Sequence, residues 1–237
     1  MQNVPGNENV HAATGDTSAL EAEVRNRMAQ GDNVEQEVRD LTVKALSRQG
    51  HDQDSLRHVM GAVLKGVREG AHQKLQSPSI QAQTALSPVR DAVAGLDSAL
   101  AQLAGASKLT LEEAAGRAQT FSKEELTRLR ANLESIENLF FETLQESASA
   151  AQDLVEVTLR DIILHAKRNG TAVGSQLKDA LEALNHQLKS TTHSQLEAGI
   201  HLTQAITNTL RQAAANVLTD VAERVKPSDN KPGGHYG

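Results

Sequence analysis

Nine histidines and thirty carboxylates are the side chains with most chemistry to offer in this 237-residue sequence. His193, Glu197 and His201 are spaced by four, which sets all three along one side of a helix. The two histidines lie two turns apart, roughly 12 Å at 1.5 Å per residue. One ion cannot bridge that gap, and the adjacent Glu of a His-Glu-x-x-His zinc motif is missing. Asp161 with His165 and Asp54 with His58 are spaced as acid–base dyads would be on a helix, but they read better as surface pairs. Glu112-Glu113 and Glu124-Glu125 fall in first helical turns, where carboxylates complement the helix dipole without any catalytic role. Gly61, Gly66 and Gly70 sit in a helical pattern, with no preceding strand and no Lys-Ser/Thr ending, so they make no phosphate loop. The chain has no Cys, which removes thiolate nucleophiles, disulfides and zinc–thiolate sites together. No catalytic residue, cofactor or metal is expected, and the sequence reads as a protein that is not an enzyme.

What must carry these side chains is helical. There is no Trp, and Phe121, Phe140, Phe141 and Tyr236 are the only aromatic residues. A sheet protein needs aromatic and β-branched payload that is scarce here. Prolines stand at 5, 78, 88, 227 and 232, and none interrupts 89–226, which permits long helices. Capping-box patterns appear at Ser18/Glu21, Asp32/Glu35, Thr110/Glu113 and Ser122/Glu125. Gly31, Gly50, Gly105 and Asn169-Gly170 mark stops. Ser87-Pro88 reads as a cap followed by proline at the first helical position. These signals predict helices near 18–30, 33–49, 54–75, 88–104 and 111–119, one at 123–169, and a stretch at 172–225. That last stretch reads as one helix or as two, broken around Ser190-Thr191-Thr192.

The apolar spacing says how the helices pack. Val89, Val93, Leu96, Leu100 and Leu103 step by 4, 3, 4, 3, a heptad seam. Leu126, Leu129, Leu133, Ile136 and Phe140 continue in the same manner. Phe140, Leu144, Ala148, Ala151, Val155, Leu159 and Ile162 then step by 4, 4, 3, 4, 4, 3, an eleven-residue repeat that keeps its face on one side of a nearly straight helix. A further stripe runs through Leu177, Leu181, Leu184, Leu188, Leu196, Ile200, Leu210 and Val217, with Thr192, Thr203 and Thr207 in its gaps. Within the helix expected at 54–75, Ala62, Gly66 and Gly70 form a small-residue stripe that lets another helix approach closely. The fold class expected is all-α: an elongated, largely antiparallel helix bundle of long amphipathic helices, one or more of them beyond 40 residues.

Residues 1–16 read as a disordered lead-in, 17–76 as a short-helix subdomain, 77–226 as a long-helix bundle and 227–237 as a disordered tail. The net charge of −6 is spread among both signs and gives no basic footprint for nucleic acid. No apolar run is long enough for a transmembrane helix and the first residues do not resemble a signal peptide, so a cytoplasmic address is expected. Residues 190–219 carry only Glu197 and Arg211 as formal charges, a profile suited to a covered helix, and self-association is expected there. Candidate interaction residues are Phe140, Phe141, Leu196, Ile200 and Leu210.

Three stretches carry a family resemblance: Glu37 to Leu46, Val63 to Ala71, and Leu109 to Ala118 leading into Phe121-Ser122. They resemble a family of uncharacterised proteobacterial helical proteins, over about residues 17 to 225. That resemblance implies an all-helical fold and carries no activity and no catalytic residue. A weaker likeness, in composition alone, is to phasins, the helical coat proteins of polyester granules. The function expected is a non-catalytic interaction or scaffold protein whose partner is itself or another helical protein. The alternative is a peripheral coat on a lipid or polymer surface, made by the same amphipathic stripes.

Overall fold

The computed structural model describes residues 8–76, 82–117, 121–191 and 202–224. All of its regular elements are α-helices: α1 (Glu8–Gln30), α2 (Val34–Leu46), α3 (Gln53–Leu75), α4 (Ala82–Gly116), α5 (Lys123–Ser149), α6 (Asp153–Asn169), α7 (Ala172–Thr191) and α8 (Leu202–Arg224). They form an all-α bundle in which α1 packs on α3, α2 and α7 on α4, and α5 on α3. The heptad seams lie where spacing put them: Val89, Val93, Leu96, Leu100 and Leu103 of α4 are buried, as are Leu126, Leu129, Leu133, Ile136 and Phe140 of α5. One hydrophobic cluster runs from Leu20 to Leu210, and side chains on both sides of the expected 76/77 boundary share it.

Some stop and start signals hold. Ser122 caps α5 through a full capping box, its hydroxyl accepting from the Glu125 N–H at 3.2 Å. Gly31 and Gly170 end α1 and α6 with positive φ, 82° and 84°, which glycine adopts without steric cost. At α3 the cap is Asp52, which the capping-box patterns did not pick out, accepting from the Ser55 N–H at 3.0 Å.

Other signals are overridden by tertiary packing. α1 runs from Glu8, so Ser18 is interior to the helix rather than its cap; residues 1–7 and the expected tail at 227–237 lie outside the described residues. At α2 the cap is Asn33, with φ of 51° and no side-chain bond, in place of Asp32. α4 is one helix where two were expected. Its Gly105 lies among the buried Leu103, Ala104, Ala106 and Ser107, and that packing outweighs the glycine's helix cost of about 1 kcal/mol. Thr110, expected to cap a new helix, instead donates its hydroxyl to the Ala106 carbonyl at 2.8 Å and meets the Thr209 hydroxyl at 2.9 Å. Pro88 is inside α4, the seventh residue of the helix, where the helix forgoes one backbone bond.

The largest correction concerns 123–169. The chain turns at Ala150-Ala151-Gln152, with Asp153 at φ 49°, and α6 folds back along α5. Lys167 Nζ stands 5.7 Å from the centre of the Phe141 ring. In one continuous helix those residues would be about 39 Å apart. Phe140, Leu144, Ala148, Ala151, Val155 and Leu159 of the eleven-residue seam are all buried, whereas its last member, Ile162, is only partly buried and Ile163 takes the core position. Among the described residues the longest helix is therefore α4, at 35 residues, and no helix exceeds 40. The described part of the final stretch consists of α7 and α8, and residues 192–201 between them lie outside the described residues. On α8 the buried row is Leu202, Ile206 and Leu210, while Thr203 faces outward, one residue out of the expected register.

Candidate functional site

Among the described residues, α6 carries large apolar side chains on two faces. On α6, Val155, Leu159 and Ile163 are buried, yet Leu154, Val157 and Leu164 remain 45%, 54% and 53% exposed. With Asp161 they step by 3, 4, 3, so they form a second heptad stripe beside the core seam. A single exposed leucine, such as Leu109 on α4, is ordinary for a protein surface, whereas three aligned on one helix mark a contact face. Charge flanks the stripe in a polar order: Asp153 and Glu156 stand in the first turn, Lys167 and Arg168 in the last. Arg160 bonds Glu156 at 2.9 Å, while Asp153 and Arg168 enter no ion pair among the described residues.

Beneath α6, a cavity of about 500 Å³ opens against α4, lined among others by Arg90, Asp97, Phe140, Asp161 and His165. Asp97 is its inner wall and is occupied structurally. Its carboxylate accepts from the Ala172 and Val173 N–H groups at 2.8 and 2.9 Å, satisfying the exposed start of α7. The Thr171 hydroxyl completes that cap, accepting from the Gly174 N–H and donating to Glu137, both at 2.9 Å. Burial pushes the Asp97 carboxyl above its usual range and nearby Glu137 adds to this, while the two N–H bonds oppose it.

Neither i,i+4 Asp–His pair joins carboxylate to imidazole, in keeping with their reading as surface residues rather than acid–base dyads. His165 is met by the Asn169 amide at 3.1 Å, and His58 Nδ1 bonds the backbone carbonyl of Asp54 at 2.7 Å rather than its carboxylate. Among the described residues, no three His, Asp or Glu side chains gather as metal ligands would. His193, Glu197 and His201 lie outside the described residues, as do the candidate contacts Leu196 and Ile200. Phe140 and Leu210 are buried in the chain's own core. Phe141 is half-buried, 5.7 Å from Phe140 between ring centres. The low-charge region expected to face a second copy is in use within the chain over 202–210, where α8 lies on α4 and α2. There Arg211 donates to the Ser47 carbonyl at the end of α2, at 2.9 Å.

A larger cavity, about 700 Å³, lies between α2 and α8. Its rim charges are largely satisfied, by Arg27–Glu37 at 2.7 Å, Arg48–Asp16 at 3.7 Å and the Arg211 bond, which leaves no concentrated charge to select a ligand.

One buried group titrates usefully. His51, between α2 and α3, has Nε2 3.1 Å from the Leu46 carbonyl and so donates from that nitrogen, while its buried Nδ1 has no partner. Burial lowers its pKa from 6.5, against the opposing pull of the Leu46 carbonyl and Asp52. The unfolded chain therefore takes up this proton at higher pH than the folded one. The stability linked to His51 is full above pH 6.5 and is lost as pH falls through the lowered folded value. Urea unfolding followed from pH 8 to about 5 should show this decline in the natural chain and less of it in His51→Gln. Equal slopes in the two would mean that His51 is not held neutral by the fold.

Two features escaped the sequence reading. The outward stripe of α6 was legible as a 3-4-3 spacing but was masked by the stronger seam interleaved with it. The carboxylates serving α7 gave no local signal, because Asp97 and Glu137 come from two distant helices.

Compared with known proteins, residues 11–227 match a family described as "Family of unknown function (DUF6781)", and the chain belongs to that family. No curated protein and no solved structure matches it.

Proposed function

We propose that this member of a family of unknown function is a non-enzymatic interaction protein that works by helix-to-helix association, its own copies included. The observation that carries this reading is the α6 stripe of Leu154, Val157 and Leu164, about half exposed on an otherwise well-packed bundle. The histidines and carboxylates of the described helices serve as surface partners and helix caps, which supports a role without catalysis. No described helix is long and apolar enough to cross a membrane. The coating alternative fits less well, because a lipid or polyester coat would turn outward the stripes of α4, α5 and α7 that fill the core.

Light scattering and sedimentation velocity from micromolar to about 0.5 mM test the reading; at the upper limit even a contact worth about 4.5 kcal/mol becomes visible. The mass is expected to rise above the 25.4 kDa of one chain. A monomeric mass throughout would sink self-association. Recovery of the chain with sedimented anionic vesicles or polyester granules would favour coating instead.

A further inference from the structure

We infer that the α6 face is covered by α6 of a second copy of this chain, laid antiparallel across a two-fold axis near residue 159. This rests on the self-association reading above and adds the face, the orientation and the register. The orientation follows from charge. Running from Asp153 and Glu156 to Lys167 and Arg168, α6 is its own complement when reversed. Antiparallel pairing brings each acidic first turn beside the partner's basic last turn. Parallel pairing would stack Asp153 on Asp153, Asp161 on Asp161 and Arg168 on Arg168, and like charges held in register repel. Asp153 and Arg168 are both exposed and enter no ion pair among the described residues, so both are available to a partner.

The register follows from the apolar spacing. Leu154 and Leu164 are ten residues apart, and antiparallel helices pack the first position of one heptad stripe against the second position of the other. Setting Leu154 against the partner's Leu164 does this twice about the axis, and the same register sets each Val157 opposite the partner's Asp161 at its centre. The same surface patch serves both copies, the isologous arrangement that closes a dimer without open-ended growth. With only three half-exposed apolar residues per copy at its centre, the contact is small, so a weak and concentration-dependent dimer is expected.

The chain has no Cys, so disulfide mapping reads the pairing without background. Leu154→Cys and Leu164→Cys chains are prepared separately, mixed under reducing conditions and then oxidised with glutathione. A disulfide-linked dimer is expected in the mixture and not in either chain alone. In the antiparallel register, like cysteines are offset by about 15 Å along the helices, beyond disulfide reach. Linkage of Leu154→Cys to itself would overturn the orientation. Dimers in light scattering with no linkage in the mixture would overturn the α6 assignment while leaving self-association standing; a monomer throughout would remove both. A chain that is monomeric alone but sediments with vesicles would give the face to a lipid surface and overturn the pairing. As a second measurement, Leu164→Glu should weaken the dimer at least tenfold with unchanged circular dichroism and thermal midpoint. Unchanged dimer affinity in that variant would also overturn the inference.

Discussion

Truncating Phe140 to alanine is expected to lower the unfolding free energy by about 3–5 kcal/mol, the largest loss for any single side chain of the paired aromatics. Phe140 is fully buried, in the seam with Ile136 and Leu144 on α5, and it also walls the cavity between α4 and α6. Removing the ring would enlarge an existing void between helices held at several other points, so little collapse can compensate. Phe141, one residue on, provides the contrast. It is half-buried, with Lys167 over its ring at 5.7 Å, and its truncation should cost about 1–2 kcal/mol, part of it the aromatic pair and cation contacts. Urea unfolding of both variants checks this ordering. If Phe141→Ala were the more damaging, the assignment of which ring anchors the core would be reversed.

That contrast also marks what could be read before the fold was known. The seams on α4 and α5 were legible because period is a local property: Val89 to Leu103 and Leu126 to Phe140 repeat at helical spacing, and all are buried. The turn at 150–152 was not legible. It contains no Gly or Pro, and the reason for it is tertiary: α6 must reverse so that Val155 and Leu159 meet the same core as Phe140 and Leu144. Gly105 and Thr110 misled for the converse reason. Each is a sound local signal for a helix boundary, but α4 is held straight through both by α7 and α8, with Gln187 Nε2 donating to the Leu111 carbonyl at 3.0 Å just beyond.

The same division applies to the candidate site. A heptad of Leu154, Val157, Asp161 and Leu164 can be found by counting. Whether it faces the core or solvent depends on how α6 rotates about its axis, and that is set by which stripe wins the core. Val155, Leu159 and Ile163 win because they extend the seam begun on α5. The leftover stripe is thereby turned outward, so the exposed apolar face of α6 is a by-product of how the core is filled. Within the low-charge stretch, Leu202, Ile206 and Leu210 are packed inside the chain.

Two glycines on α3 should respond to alanine with opposite signs. At Gly61 a Cβ would enter open space, so Gly61→Ala should stabilise the protein by up to about 1 kcal/mol through helix propensity alone. At Gly66 a Cβ would stand 2.5 Å from the Glu21 carbonyl oxygen and 3.0 Å from Val24 Cβ, both on α1. Gly70 repeats this one turn on, against Met28 Cβ at 2.5 Å. These glycines let α1 lie on α3, with Arg25–Glu69 and Lys65–Glu21 ion pairs of 3.0 Å on the rim. The nearest obstacle at Gly66 is backbone, which cannot rotate away, so the helices must part and loosen Val24 and Met28. Gly66→Ala gains the same propensity as Gly61→Ala and still should lose about 2 kcal/mol net, since overpacking a tight contact costs roughly 1–3 kcal/mol or more. Because the propensity gain is common to both, the gap of about 3 kcal/mol between the variants isolates the steric cost of the α1–α3 crossing. Thermal and urea unfolding of the pair measure it directly. Stabilisation by both substitutions would mean that α1 does not seat on α3 through Gly66.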